Sequence, residues 1–135
     1  MVELLSLLPR TDHWIFCGDV INRGPHIEAC MTLAWDLMRS GQATWLRGNH
    51  EQQLIDALSL RGEAGHRARE DEDTVQEIGD QACRPWQVRL NQLPLVYRAD
   101  AWSATHAGFN ADGQPDLSIR DSFWESYDGR FGRVV

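Results

Sequence analysis

Apolar positions in the first sixty residues form short runs separated by segments of helical periodicity. The runs at 14–17 and 43–46 are each stopped by a glycine and predict two buried strands. Between Ile27 and Met38 the apolar residues Cys30, Leu33, Ala34 and Leu37 recur at the spacing of an amphipathic helix, and a second amphipathic segment follows residue 48. Strand, helix, strand and helix in this order predict an α/β domain with parallel strands and crossover helices.

The rest of the chain predicts shorter elements. Residues 4–8 predict a short helix, and 83–93 predict another that ends at a proline. The runs 95–98 and 102–105 flank a short polar turn and predict neighbouring antiparallel strands. Residues 131–135 predict the start of a final strand.

The segment from residue 61 to 81 has a different composition. It contains Arg-Glu-Asp-Glu-Asp at 69–73 and few large apolar side chains. This pattern is typical of a solvated helix or loop, with a lid over a binding site as the alternative.

Composition narrows the function classes. The 135 residues fit a single domain, 1–135, with 42% hydrophobic and 24% charged residues. A net charge of −7 disfavours nucleic acid as a partner, although bound metal ions can supply positive charge for a phosphate substrate. The three cysteines form no C-x-x-C pair and no run is long enough for a membrane span, so we expect a cytoplasmic protein with reduced thiols.

Three polar clusters each follow a predicted strand directly. They are Gly-Asp-Val-Ile-Asn-Arg-Gly-Pro at 18–25, Gly-Asn-His-Glu at 48–51 and His-Ala-Gly at 106–108. Ligands of open α/β sheets bind at the carboxyl ends of strands, so we expect the clusters to converge.

The side chains in these clusters form a coherent chemical set. The carboxylate of Asp19 can bridge two cations, Asn49 offers a carbonyl oxygen and His106 an imidazole nitrogen, which suits manganese, iron or zinc. Arg23 can grip phosphate oxygens, and His50 can donate a proton to a leaving alkoxide. Each residue alone has an ordinary structural explanation, such as a turn, a helix cap or a surface charge; their conjunction favours a functional site.

At these motifs the sequence resembles the calcineurin-like metallophosphoesterases, among them bacterial and phage serine/threonine phosphatases and symmetrical diadenosine tetraphosphatases. The resemblance implies a β-sandwich flanked by helices and two divalent metal ions, with manganese favoured and iron, zinc or nickel as alternatives. Asp19 would bridge the metals, Asn49 and His106 would bind the second one, Arg23 would hold phosphate and His50 would be the general acid. The implied reaction is hydrolysis of phosphate monoesters or dinucleoside polyphosphates, with a phosphoprotein or nucleotide as substrate.

The chain departs from the family pattern in two ways. The family has an early Gly-Asp-x-His-Gly loop before a helix that resembles Val2–Leu8, and a late Gly-His-Thr loop after a strand that resembles Phe131–Val135. We therefore expect a partial domain without the first strand and the C-terminal strands, in which the first metal keeps Asp19 alone and binds weakly. Asn22 replaces an Asp that orients the catalytic histidine in many relatives, and it keeps the hydrogen bond but not the charge.

Two other interpretations remain open from the sequence. One is a catalytically inactive remnant that binds a partner or a nucleotide in the same crevice. The other is an ordinary α/β domain in which the motifs have arisen by coincidence.

Overall fold

Five helices and five short strands form the part of the chain that the computed structural model describes, residues 12–119 and 124–135. The helix predicted at 4–8 lies outside these residues. In chain order the elements are β1 (Trp14–Phe16), α1 (Ile27–Arg39), β2 (Ala43–Trp45), α2 (Asn49–Ser59), α3 (Gly62–Glu70), α4 (Asp73–Ile78), α5 (Asp80–Asn91), β3 (Val96–Arg98), β4 (Trp102–Thr105) and β5 (Arg133–Val134).

The strands form two small sheets among the described residues. β1 and β2 pair in parallel, with Ile15 opposite Thr44 and α1 as the crossover. In the second sheet β4 lies between β3, its antiparallel neighbour, and β5, which runs parallel to it. The mixed α/β class, the parallel pairing of β1 with β2 and the antiparallel pairing of β3 with β4 are confirmed. The pairing of β5 was not predicted, and the β-sandwich and its missing strands stay predictions.

One apolar core joins α1, β2, α2 and α5. The inner face of α1 carries Ile27, Met31 and Ala34, spaced by three or four residues as a helix requires. Trp45 of β2 and Leu54 of α2 are fully buried in the same cluster. The core fixes β1 and β2 beside each other, so the loops that leave their carboxyl ends meet. No helix within residues 12–119 and 124–135 has both the length and the apolar character needed to cross a bilayer.

The segment 61–81 forms α3, α4 and the start of α5. Most of its side chains are exposed, as a solvated stretch predicts. The prediction is wrong for Glu72 and Thr74, which are 9% and 0% exposed. These two side chains are buried because they form hydrogen bonds with Asn22, in the loop after β1.

Candidate active site

The loop after β1 has an unusual backbone. Asp19, Asn22, Arg23 and His26 have φ values of 54°, 60°, 54° and 62°, in the left-handed region. This conformation costs an L-residue roughly 1–2 kcal/mol, and Asp, Asn and His adopt it more readily than most. Four such residues within an eight-residue span require contacts from other elements to hold them.

Glu51 holds the beginning of this loop. Its fully buried carboxylate accepts the backbone N–H of Asp19 at 2.9 Å, of Val20 at 2.9 Å and of Gly48 at 2.8 Å. Gly48 is the N-cap of α2. A capping box has two bonds, one from the N-cap side chain and one from the N-cap N–H to the side chain three residues later. Since glycine has no side chain, only the second bond forms, from Gly48 to Glu51. One carboxylate thereby ties the loop after β1 to the loop after β2.

Two glycines let these loops touch. A Cβ atom on Gly18 would lie 2.6 Å from the Cα of Gly48 and 2.8 Å from Nδ1 of His106. A Cβ atom on Gly48 would lie 2.6 Å from the backbone nitrogen of Asp19. All three distances are shorter than van der Waals contact, so any side chain at either position would separate the loops.

His106 brings the third predicted cluster to the same place. Its Nδ1 lies 2.7 Å from the carbonyl oxygen of Cys17, which can only accept, so Nδ1 carries a hydrogen. Its Nε2 lies 2.9 Å from Oδ1 of Asn49 and 3.6 Å from Oδ1 of Asp19. In the neutral ring Nε2 carries a lone pair. Three acceptor atoms therefore face one another: Nε2 of His106, Oδ1 of Asn49 and Oδ1 of Asp19. The contact with Asn49 is a hydrogen bond only when the ring carries a second proton, and a cation can replace that proton.

The spacing of these three atoms suits one cation. Neighbouring ligands of an octahedral cation with bonds of about 2.1 Å lie about 3 Å apart. Among residues 12–119 and 124–135 no group of three or more His, Cys, Asp or Glu side chains converges to hold a metal. The amide oxygen of Asn49 is the third donor beside Asp19 and His106, and this mixed nitrogen and oxygen set fits a divalent metal of manganese, iron or zinc type.

His50 lies on the other side of Asp19 and is 8% exposed. Its backbone N–H donates to Oδ1 of Asp19 at 3.2 Å, and its ring Nε2 lies 3.9 Å from Oδ2 of the same residue. The other ring nitrogen, Nδ1, lies 3.2 Å from Nδ2 of Asn22. The ring is therefore held between Asn22 and Asp19, with Nε2 on the side of the proposed metal ligand.

The start of α4 holds the far half of the loop after β1. Oδ1 of Asn22 accepts from the backbone N–H and the hydroxyl of Thr74, at 3.1 and 2.6 Å. Nδ2 of Asn22 donates to Oε2 of Glu72 at 2.9 Å. The backbone N–H of Arg23 donates to Asp73 at 3.0 Å. The strained backbone is thus fixed by α2 at one end and by α4 at the other.

A second acidic side chain of α4 reaches the N-terminus of α1. Glu77 accepts the backbone N–H of Glu28 at 3.0 Å. Hydrogen bonds from the backbone of Glu28 and Ile27 lower the pKa of Glu77 below its usual value of 4.5, because they stabilise the ionised carboxylate. His26, the N-cap of α1, forms no side-chain cap, so Glu77 takes that role.

Five of the six predicted site residues are joined by contacts in the structure: Asp19, Asn22, Asn49, His50 and His106. Arg23 lies in the same loop, and its side chain is exposed. Among the described residues no hydrogen bond or ion pair joins its guanidinium to the other five.

Three residues with clear roles in this geometry are absent from the predicted set. Glu51 stands inside the Gly-Asn-His-Glu motif, and a Glu three residues after a helix N-cap is a known capping signal. Glu72 and Thr74 carry no such signal. They lie at least 50 residues from Asn22 along the chain, within a charge run typical of a solvated surface.

Comparison with known proteins finds sequences related to this chain. The sequence model of the family described as calcineurin-like phosphoesterase matches residues 1–130. The symmetrical bis(5'-nucleosyl)-tetraphosphatase of Methylococcus capsulatus is 29% identical over 112 residues, which cover 80% of this chain and 37% of that protein. The enzyme of the same name from Ralstonia nicotianae is 25% identical over 135 residues, covering 92% and 46%. Serine/threonine-protein phosphatase 1 of Salmonella typhimurium is 41% identical over 49 residues, covering 36% and 21%. The chain thus spans less than half the length of these relatives.

Proposed function

Because the chain belongs to the calcineurin-like phosphoesterase family, whose members use divalent metal ions, we propose that it takes part in metal-dependent hydrolysis of phosphoester or phosphoanhydride bonds. The observation that carries the proposal is the convergence of Asp19, Asn49 and His106 through three acceptor atoms. These donors come from three loops that are distant in the sequence.

Asp19, Asn49 and His106 would hold one divalent cation, with manganese favoured over iron, zinc or nickel. The second carboxylate oxygen of Asp19 is available to a second cation, so Asp19 is the proposed shared ligand. When bound, such cations lower the pKa of water and neutralise charge on the phosphate oxygens.

The side chains of this chain supply the remaining functions. The Nε2–H of His50 donates a hydrogen bond to the leaving oxygen and stabilises the negative charge that develops there, while Nδ1 accepts from Asn22. The proton that the leaving oxygen finally takes comes from water. Arg23 binds phosphate oxygens through its guanidinium, because its exposed side chain starts from the same loop as Asp19. The acidic chain depends on these groups and on the cations to attract an anionic substrate.

The substrate belongs to one of two classes that the names of the relatives indicate. One is a dinucleoside polyphosphate, in which a phosphoanhydride is cleaved. The other is a phosphate monoester on a protein. Both present a phosphoryl group to Asp19, His50 and Arg23, so the same residues serve either reaction.

Hydrolysis of p-nitrophenyl phosphate and of diadenosine tetraphosphate, with added Mn²⁺, tests the proposal. We expect the wild-type chain to hydrolyse at least one of them and Asp19→Asn to lose that activity. The compound that is hydrolysed faster indicates which substrate class the chain acts on. Equal rates for the wild type and the Asp19→Asn variant would refute the proposal. Metal binding without turnover would favour the alternative of a non-catalytic binding domain.

A further inference from the structure

The amide of Asn22 makes four hydrogen bonds, and together they fix its orientation. At one end, Oδ1 faces the backbone nitrogen and the hydroxyl of Thr74, at 3.1 and 2.6 Å. At the other end, Nδ2 faces Oε2 of Glu72 at 2.9 Å and Nδ1 of His50 at 3.2 Å. A backbone N–H can only donate and a carboxylate can only accept, so both ends are assigned independently.

This orientation determines where His50 carries its hydrogen. The NH₂ group of Asn22 gives one hydrogen to Glu72 and the other to His50, so Nδ1 of His50 has to accept. In the neutral ring the hydrogen then lies on Nε2. Nε2 is the nitrogen that faces Asp19.

We propose that Glu72 and Thr74 are positioning residues, which orient the Asn22 amide and thereby hold His50 in the tautomer with hydrogen on Nε2. The consequence for catalysis rests on the proposed function, in which Nε2 serves the leaving group. The tautomer itself does not depend on metal or substrate. The acidic segment 61–81, through the start of α4, is therefore part of the site.

Two features of α4 support this assignment. Glu72 is the N-cap residue of α4, but its side chain makes no cap bond to its own helix. Its carboxylate instead binds the amide of Asn22. Asn22, from 52 residues away, accepts the N–H of Thr74 in the first turn of α4. A helix is usually capped by a polar side chain of its own N-terminal segment. Here the N-cap side chain of α4 binds the loop after β1 instead, and a side chain of that loop caps α4.

The same contacts give a physical reason for Asn at position 22. An Asp there would place a carboxylate oxygen 2.9 Å from the carboxylate of Glu72. Two ionised carboxylates at this distance repel each other, and burial of Glu72 strengthens the repulsion. Glu72 therefore requires a donor at position 22, which Asn supplies and Asp does not.

The test is nuclear magnetic resonance of the histidine rings in the metal-free full chain. Long-range ¹H–¹⁵N correlation distinguishes the two neutral tautomers at about pH 8, where an ordinary imidazole is uncharged. The signals of His50 are identified by their loss in His50→Gln. We expect hydrogen on Nε2 in the wild type. Hydrogen on Nδ1 would overturn the proposal.

Variants of α4 separate positioning from a merely structural role. Thr74→Val keeps the shape but removes one of two donors to Asn22, so the ratio of the Nδ1–H tautomer to the Nε2–H tautomer should rise about fivefold. Thr74→Ser should restore the wild-type spectrum. Asp71→Asn, an exposed change beside Glu72, is the matched control and should leave the spectrum unchanged. A Thr74→Val protein with a wild-type spectrum but a lower melting temperature would overturn the proposal.

The two proposals fail in different measurements. In the hydrolysis assay Thr74→Val should lower kcat and leave KM nearly unchanged, because the hydrogen bond from His50 to the leaving oxygen is affected and the phosphate ligand Arg23 is not. Absence of hydrolysis in the wild type would refute the proposed function. The tautomer spectrum of the metal-free protein decides the role of Glu72 and Thr74 in either case.

Discussion

Nε2 of His106 lies 2.9 Å from Oδ1 of Asn49, although 57 residues separate the two along the chain. Nδ1 of the same ring already donates to the carbonyl oxygen of Cys17, so the neutral ring turns a lone pair toward the amide oxygen. Two acceptors at this distance are favourable when a proton or a cation lies with them. The pair is the centre of the candidate metal site.

The first prediction concerns metal affinity. Because His106 supplies a direct nitrogen ligand, His106→Ala should weaken Mn²⁺ binding by more than about tenfold in isothermal titration calorimetry. His66→Ala, at an exposed histidine of α3 that pairs with Glu70, is the control and should bind as the wild type does. Equal affinity in all three proteins would exclude His106 as a ligand.

The second prediction concerns the buried carboxylate of Glu51. Glu51→Gln replaces an oxygen that accepts backbone N–H groups with an NH₂ that cannot accept. Leaving buried donors unpaired should lower the free energy of unfolding by about 1–3 kcal/mol. Urea denaturation of the metal-free chain measures this. Glu63→Gln, at an exposed site on α3, should shift the midpoint little, and a comparable loss there would contradict the argument.

The third prediction concerns the contact between the two loops. Gly48→Ala places a Cβ atom 2.6 Å from the backbone nitrogen of Asp19 and should cost about 1–3 kcal/mol of stability through overpacking. Gly48 has φ of −96°, which alanine adopts freely, so the effect is steric. Gly24→Ala, where the nearest atom lies at 4.0 Å, should be close to neutral. Thermal unfolding of both variants gives the comparison.

The fourth prediction concerns pH. The pKa of Glu77 is lowered in the folded protein, mainly by the backbone hydrogen bond from Glu28, so its contribution to stability is present above the unfolded value and is lost as pH falls through the folded value. Glu77→Gln should therefore melt below the wild type at pH 7. The gap should close as pH falls below about 4.5. Because Glu77 is exposed, salt should also reduce the gap.

A melting difference that is constant from pH 7 to about pH 3 would show that Glu77 acts without its charge. Gln76→Ala, at the preceding exposed position of α4, controls for general effects on this helix. The difference in melting temperature between Gln76→Ala and the wild type should not change over the pH range in which a carboxylate titrates.

Local sequence patterns were sufficient for much of the fold. The helical spacing of Cys30, Leu33, Ala34 and Leu37 predicts α1, and the helix is present. Its buried face is shifted from these positions, because Ala34 is buried together with Ile27 and Met31, while the other three are half-buried. The apolar runs before Gly18 and Gly48 identify β1 and β2, which pair in parallel as predicted. The convergence of the polar clusters follows from this order, because parallel strands end at the same edge.

Other parts of the site depend on contacts that no local pattern contains. Glu72 and Thr74 stand in a charge run whose composition is that of a solvated surface, and their burial depends on Asn22, at least 50 residues earlier. The left-handed backbone of Asp19 and Arg23 is equally invisible, because neither residue type requires it. Tertiary hydrogen bonds from α2 and α4 impose that conformation.

The left-handed loop after β1 takes its shape from helices elsewhere in the chain. Glu51 of α2 fixes its first residues, and Thr74 and Asp73 of α4 fix its last ones. The peptide of residues 18–26 therefore does not keep its shape on its own: grafted onto another strand end without these partners, it would relax into ordinary turns and move Asp19 out of position. A redesign that moves this loop to a new scaffold has to include both helices.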